Sequence, residues 1–164
     1  MIFIISLLFF SLTTVAEPYQ RFEENGKFGL KNESGKIIIP AMYDALGWSN
    51  GSFSVTDKVT GYKLGGTWGI VNVSNERVTK ADYLSLTPAD GSFIVAIKKS
   101  SAIAVGAGVI NTEGKTIIPF TYAGVKVHSL RIVAFIREGN QFKHGLLNLE
   151  NKILIPFQYK NIYP

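Results

Sequence analysis

The stretch "GVINTEGKTIIPFTY", from Gly108 to Tyr122, occurs earlier in the chain in a second form, "GLKNESGKIIIPAMY", from Gly29 to Tyr43. Both copies have Asn three residues after the first Gly, Gly after six, Pro after eleven and Tyr after fourteen. Two further copies begin at Gly69 and Gly145 and keep the Asn and Tyr positions. The four anchor glycines are 40, 39 and 37 residues apart, which predicts an internal repeat with a period of about 40.

Each copy contains a four-residue polar segment between two apolar runs: "NESG", "NVSN", "NTEG" or "NLEN". Asn at the first position of a type I turn accepts hydrogen bonds from backbone N–H groups that follow it. The fourth position is always Gly or Asn, the residues that most readily adopt a positive φ. A type I turn followed by a left-handed residue is a common β-hairpin connection, so each copy predicts a hairpin.

The segment after each turn is rich in β-branched residues, as in "KIIIP", which favours a strand. Proline lacks an N–H, so in three of the copies we expect it to end the ladder or to lie at its edge, whereas the second copy has Lys80 there. The closing tyrosine is expected to place its ring in the core and its hydroxyl on a neighbouring backbone group. These four residues are Tyr43, Tyr83, Tyr122 and Tyr159.

A third strand is predicted between consecutive hairpins. It is expected at Tyr19–Glu24, Gly51–Val55, Gly91–Val95 and Arg131–Ile136. The segments that vary most between copies are 56–66 and 98–107. They are predicted to be loops or extra strands, where an individual function would be placed.

The sequence "TWGIVN", from Thr67 to Asn72, followed by a turn and a strand that leads to tyrosine, resembles the WG-containing repeat of bacterial tandem arrays. The resemblance extends from Tyr19 to the C-terminus. Trp68 matches the tryptophan that gives this repeat its name, but the equivalent residues in the other copies are Phe28, Ala107 and His144. The resemblance implies an all-β repeat fold, and it implies no shared reaction or ligand.

A single small meander cannot cover its own apolar face, so neighbouring repeats must stack. The predicted fold is therefore all-β. It consists of about four tandem β-meander or hairpin units of ~37–40 residues, stacked as an open solenoid-like or propeller-like arc.

The first sixteen residues carry no charged side chain and precede a predicted single β-repeat domain, residues 17–164. As a helix they would span only about 22 Å, which is less than the roughly 30 Å of a bilayer core. Residues 1–16 are therefore predicted to be a signal peptide that ends at Thr14-Val15-Ala16, with an N-terminal membrane anchor as the alternative. The protein is expected to be exported, periplasmic or extracellular, and no stable membrane span is expected.

Hydrophobic residues make up 46% of the chain and charged residues 18%, which indicates a folded protein. The net charge is +5, but the basic residues are scattered in the sequence, so no nucleic-acid partner is expected. The absence of cysteine excludes thiol catalysis and disulfide bonds.

The sequence contains no phosphate-binding loop and no Gly-x-Ser-x-Gly nucleophile motif. His128 and His144 lack metal-ligand spacing; a packing role is expected for His144 and a surface position for His128. Trp48 is either an exposed ring for stacking on a sugar or partner, or a cover for the seam between the first two units. No catalytic residue, cofactor or metal site is therefore predicted.

The leading hypothesis is an exported, non-catalytic β-repeat module that binds a protein or a cell-envelope polymer. The alternative is a small periplasmic hydrolase with a site in the loops Lys58–Gly66 or Lys98–Gly106, where Asp57 and Ser100 are the residues to test. A third possibility is a module that binds an anionic surface through its positive charge. The sequence does not specify the oligomeric state.

Overall fold

The computed structural model describes residues 18–163, which form strands, turns and irregular segments but no α-helix. The predicted all-β fold is confirmed. The predicted leader, residues 1–16, lies outside the described residues and stays a prediction. Within residues 18–163 no helix has the length and apolar character needed to cross a membrane.

The described chain forms fourteen strands, all paired antiparallel. In chain order they are β1 (Tyr19–Glu24), β2 (Lys27–Asn32), β3 (Ile37–Tyr43), β4 (Ala45–Leu46), β5 (Val59–Leu64), β6 (Thr67–Asn72), β7 (Tyr83–Pro88), β8 (Phe93–Ser100), β9 (Ala104–Asn111), β10 (Thr116–Tyr122), β11 (Gly124–His128), β12 (Arg131–Glu138), β13 (Gln141–Leu147) and β14 (Ile153–Tyr159).

The strands group into four consecutive meanders, each closed by one of the repeated tyrosines. Unit 1 is β1–β3, unit 2 is β4–β6 together with Tyr83, unit 3 is β7–β10, and unit 4 is β11–β14. Units 1 and 4 are separate sheets of three and four strands. Units 2 and 3 share a seven-stranded sheet, because Tyr83 both pairs with Trp68 and begins β7. The structure therefore confirms the tandem repeat.

The four turns have the predicted geometry. In each, the backbone N–H of the fourth residue donates to the carbonyl of the initiating Asn, with N···O distances of 2.9–3.1 Å. The Asn side chain accepts the next backbone N–H, as in Lys115 N to Asn111 Oδ1 at 2.8 Å. The fourth residue has φ between +60° and +79° in all copies: Gly35, Asn75, Gly114 and Asn151.

The repeated prolines do not end their strands but lie on the edge strands β3, β10 and β14, which is the second of the two positions expected from sequence. In unit 3, Ile118 pairs with Val109 and Tyr122 pairs with Ala107, so three residues on β10 face one residue on β9. The proline lies inside this bulge, where its missing N–H costs no ladder bond. Units 1 and 4 have the same bulge, and each strand continues to its tyrosine.

The anchor glycine lies opposite this bulge. A Cβ atom on Gly108 would lie 2.5 Å from the carbonyl oxygen of Ile118 and 3.0 Å from the ring of Phe120. Gly29 and Gly145 meet the equivalent carbonyl at 2.5 and 2.9 Å, and the space above every anchor glycine is filled by an aromatic ring. The glycine is thus required for close approach.

The ring that covers the glycine comes from two different strands. In units 1 and 2 it belongs to the cross-strand partner of the glycine, Phe22 or Tyr62. In units 3 and 4 it comes from the following strand, as Phe120 or Phe157. The cross-strand partner in these two units is instead an alanine, which leaves room for that ring.

The covering ring also contacts the tyrosine that closes the preceding unit. The ring centroids are 4.7 Å apart for Tyr43 and Tyr62, 6.0 Å for Tyr83 and Phe120, and 5.7 Å for Tyr122 and Phe157. These distances are typical of favourable aromatic pairs. The same pair therefore joins each unit to the next.

Three hydrophobic clusters form the core, and each lies between two consecutive units. The first joins units 1 and 2 and includes Leu30, Ile39 and Tyr62. The second joins units 2 and 3, and the third joins units 3 and 4 around Tyr122 and Ile132. None of these clusters in residues 18–163 combines residues of units 1 and 4. The choice between a solenoid-like and a propeller-like arc stays a prediction.

Two of the closing tyrosines donate to a side chain and not to the expected backbone group. The Tyr43 hydroxyl donates to Asn75 Oδ1 at 3.0 Å, and the Tyr122 hydroxyl donates to Asn151 Oδ1 at 2.8 Å. Each acceptor is the positive-φ residue of the turn in the next unit. Asn at this position therefore completes the turn and also links two units.

The predicted strand at Gly51–Val55 is wrong. Gly51 has φ +87°, and the segment folds around Trp48, whose backbone N–H donates to the Ser52 carbonyl and whose indole N–H donates to Ser54 Oγ at 2.8 Å. Strand β5 takes the expected place instead. The other three predicted strands coincide with β1 or fall largely within β8 and β12.

The inter-unit hydrogen bond predicts a difference between tyrosine variants. Tyr122→Phe should lower the free energy of unfolding by about 1 kcal/mol, because it removes the bond to Asn151 and keeps the ring. Tyr83→Phe should cost less, since the next turn has Gly114, which offers no side-chain acceptor. Urea unfolding of both variants measures this, and Asn151→Gly should match Tyr122→Phe. Equal losses of unfolding free energy in Tyr122→Phe and Tyr83→Phe would contradict a stabilising hydrogen bond between Tyr122 and Asn151.

Stability should also fall at high pH. Burial raises the pKa of Tyr62, Tyr83 and Tyr122 above the ordinary value. Above about pH 10 the unfolded chain loses these protons while the folded chain keeps them, so folding loses free energy as pH rises. Thermal unfolding from pH 8 to 11 should show the decline, and Tyr83→Phe should make it shallower. If the unfolding temperatures of the Tyr83→Phe variant and the intact protein declined equally with pH, the buried tyrosine at this position would not be a cause of the decline.

Candidate functional site

The residues that the sequence suggested for binding or catalysis lie in separate parts of the structure. Trp48 is 1% exposed and belongs to the core between units 2 and 3. It is therefore not a platform for stacking on a ligand. Trp48 covers a seam between units, as one of the two sequence interpretations proposed. However, this seam lies between units 2 and 3 and not between units 1 and 2.

The two segments considered for a hydrolase site are hairpins. Lys58–Gly66 contains β5 and the turn at Gly65 and Gly66, while Lys98–Gly106 joins the end of β8 to the start of β9. The Asp57 carboxylate accepts from the Ser92 hydroxyl, and Ser100 Oγ accepts from the backbone N–H of Ala102 at 3.2 Å. No hydrogen bond within residues 18–163 joins either side chain to a histidine.

The carboxylate at Asp44 has a structural role. It accepts from Lys27 Nζ at 2.6 Å and from the backbone N–H of Gly65 at 2.8 Å. The hydrogen bond from Lys27 is the main cause that lowers the pKa of Asp44. The Asp44 side chain thus holds the β5–β6 turn of unit 2 against unit 1.

The positive charge is concentrated in unit 4, which the sequence interpretation of scattered basic residues missed. Residues 124–163 contain six Lys or Arg and two Asp or Glu, for a net charge of +4. Residues 18–123 contain eleven basic and nine acidic residues, for a net charge of +2. Counting charge by repeat unit would have revealed this asymmetry.

A cavity of about 630 Å³ lies in unit 4, where the β12–β13 turn and the start of β13 meet the end of β14. We call it the unit-4 cavity. Its lining combines two lysines, one histidine, one phenylalanine and four side-chain amides: Lys143, Lys160, His144, Phe142, Asn140, Gln141, Gln158 and Asn161. Glu138 pairs with Gln141 across the hairpin but is not part of the lining.

His144 lies in the position before the anchor glycine of unit 4, and its cross-strand partner is Tyr159. The expected packing role is confirmed, since its ring centroid is 5.1 Å from that of Phe135. However, His144 Nδ1 is buried and has no hydrogen-bond partner among the described residues. His144 also lines a second cavity of about 110 Å³, together with His128, Lys126 and Tyr163.

His128 has the expected surface position at the end of β11. Its Nδ1 is 3.9 Å from the Asp90 carboxylate of unit 3, and both side chains are exposed. Asp90 also accepts from the backbone N–H of Ser129 at 3.1 Å, so this contact joins two hairpin turns. No group of three or more His, Asp or Glu side chains suited to a metal ion occurs within residues 18–163.

The outer part of unit 4 keeps apolar groups exposed. Tyr159 is 45% exposed, whereas the other closing tyrosines are at most 9% exposed. The Phe142 side chain is also half exposed, and its ring packs edge-on against Phe135 with centroids 5.4 Å apart. Unit 4 thus combines positive charge with accessible rings, and its cavity brings two lysines, four amides and Phe142 together.

These features define the class as a tandem β-hairpin repeat protein with a polar, basic cavity in its last described unit. The model of the WG-containing repeat family matches residues 28–68, 108–126 and 145–164. The chain therefore contains segments that match the WG-containing repeat, as the sequence around Trp68 predicts. No curated protein matches the chain.

The family match leaves out most of the second hairpin, which is also the least regular in the structure. Between its turn and Tyr83 the chain makes one isolated bridge, between Val71 and Arg77. Lys80 replaces the proline here, and Thr79 Oγ1 accepts from the backbone N–H of Ile70 at 2.9 Å. The second unit keeps the turn and the tyrosine but lacks the bulged strand.

Tryptophan fluorescence can test the buried position of Trp48. Trp68→Phe leaves Trp48 as the single indole, and acrylamide should quench its emission poorly because the ring is 1% exposed. Trp48→Phe leaves the half-buried Trp68, which should be quenched several-fold more strongly. Efficient quenching of Trp48 in the folded protein would contradict the buried seam.

Proposed function

We propose that the protein is an exported, non-catalytic repeat module that binds a cell-envelope polymer through the unit-4 cavity and the surface around it. The observation that carries this proposal is the lining of the cavity, in which two lysines, four amides and an exposed ring occur without a carboxylate. Such a set provides hydrogen bonds, apolar contact and positive charge to a polar ligand.

The same lining argues against hydrolysis at this place. A glycosidase of the usual kind needs two carboxylates on either side of the bond that is cleaved. The cavity supplies none, and its single histidine packs against Phe135. A hydrolase with a site elsewhere, at Asp57 or Ser100, is the alternative that experiment must address.

Export is the part of the proposal that depends on residues 1–16. An apolar segment that ends at a small-residue site such as Thr14-Val15-Ala16 is typical of a signal peptide, but here no Lys or Arg precedes the apolar segment. The absence of cysteine is compatible with any redox compartment, because the stability of the fold comes from the three seams between units. Localisation of a tagged full-length chain by cell fractionation tests this part.

Co-sedimentation with insoluble envelope material tests the binding role. The intact protein should pellet with purified peptidoglycan sacculi, and Lys143→Glu/Lys160→Glu should reduce the bound fraction several-fold, because it reverses both charges of the cavity. The matched control is Lys36→Glu/Lys115→Glu, which makes the same charge change at two exposed turn residues. Equal losses for both double variants, or no pelleting of the intact protein, would count against the proposal.

A broad hydrolase screen addresses the alternative. The purified protein should show no turnover of ester, peptide or glycoside substrates above background. Activity that disappears in Asp57→Asn or Ser100→Ala, with unfolding temperatures unchanged, would overturn the non-catalytic assignment.

A further inference from the structure

The unit-4 cavity also indicates which kind of polymer it binds, an inference that rests on the proposed function. Four of its lining residues carry side-chain amides: Asn140, Gln141, Gln158 and Asn161. An amide both donates and accepts hydrogen bonds, as a sugar hydroxyl does. A ligand with acceptor oxygens alone, such as a polyphosphate, would leave the amide oxygens without partners. The amides therefore favour a ligand rich in hydroxyl groups.

The aromatic group has the properties needed for a sugar ring. Phe142 is 50% exposed, and its ring contacts Phe135 edge-on. One face of a pyranose presents C–H groups, which form apolar contact with an aromatic face.

The charges select among saccharides. Lys143 and Lys160 belong to the lining, and no carboxylate there neutralises them. Glu138 and Glu150 are the acidic residues of unit 4, and neither lines the cavity. Two uncompensated cations stabilise an anionic ligand relative to a neutral one of the same shape.

His144 lines the unit-4 cavity. Its Nδ1 is buried without a partner among the described residues, and the residue lines both the 630 Å³ and the 110 Å³ cavity. A buried ring nitrogen without a partner is unfavourable unless a water or ligand group bonds to it. A hydroxyl of a bound sugar has the donor and acceptor capacity to satisfy this atom.

We propose that the unit-4 cavity binds a carboxylate-bearing saccharide, with the sugar ring against Phe142, the hydroxyls on the amides and the carboxylate towards Lys143 and Lys160. The ligand class is an oligomer of acidic sugars, as distinct from a neutral glycan or a nucleic acid. The proposal thus names the chemistry of the envelope polymer.

Calorimetric titration with three matched probes tests the ligand class. The intact protein is titrated with an oligogalacturonate, with its fully methyl-esterified form, and with a polyphosphate of equal charge. The acidic oligomer should bind about tenfold more tightly than the ester, since two partly exposed ion pairs together correspond to that ratio. It should also bind more tightly than the polyphosphate, which cannot use the amide oxygens or the ring.

Variants separate the contributions. Lys143→Gln/Lys160→Gln should remove the preference for the acid over the ester. Phe142→Leu should weaken both oligomers, because it keeps an apolar side chain but removes the aromatic face. Lys36→Gln/Lys115→Gln should leave both affinities unchanged. Unfolding curves identify any variant that fails to fold, and for such a variant Asn161→Ala serves as the second probe of the cavity.

Equal affinity for the acid and the ester would overturn the acidic class, and polyphosphate binding as tight as the oligogalacturonate would overturn the saccharide class. In either case, pelleting with sacculi that depends on Lys143 and Lys160 would still support the proposed function. Failure of the intact protein to pellet with sacculi contradicts the proposed function itself. The two failures are therefore distinguishable.

Discussion

The contact between a closing tyrosine and the ring above the next anchor glycine is the interaction on which the structure depends. It requires a glycine, because any Cβ there would collide with the covering ring. In three units the bulge brings a carbonyl oxygen within 2.9 Å of the same point. The ring can then reach the tyrosine of the preceding unit. The Gly, Pro and Tyr positions of the repeat are thus parts of one packing arrangement.

Positive side chains reinforce two of these aromatic pairs. The Arg77 guanidinium lies 5.7 and 5.4 Å from the ring centroids of Tyr43 and Tyr62. Lys98 Nζ lies 5.3 Å from Tyr83 and 4.5 Å from Phe120. Such contacts contribute roughly 0.5–1 kcal/mol at exposed sites. Basic residues in units 2 and 3 therefore contribute to the seams, whereas the lysines of the unit-4 cavity have no such role.

The sequence predicts the parts of the fold that depend on local backbone chemistry. Asn111 and Gly114 specify their turn through a side-chain acceptor and a positive φ, both of which follow from residue type. The pattern of Gly51–Val55 matches that of Gly91–Val95 and so predicts a strand, but the hydrogen bonds of Trp48 that decide the structure of this segment are not visible in a pattern. The sequence also does not predict the bulge at the proline or which strand supplies the ring above each anchor glycine, since both depend on how the strands pair.

The candidate site was harder to predict for a related reason. Lys143 and Lys160 are seventeen residues apart, and a turn, a bulge and two strand registers bring them to one cavity. In the sequence, these two lysines are isolated from each other. Charge counted by unit shows the excess in unit 4, but only the structure shows that amides and an exposed ring accompany it.

The division of the core into separate seams also has a mechanical consequence. Each cluster is shared by two neighbouring units, and none of the described ones links the first unit to the fourth. Force applied to the two ends of the chain would therefore not meet one common core. The clusters between units would break one after another. The protein would therefore unfold in steps of single units, each of about forty residues.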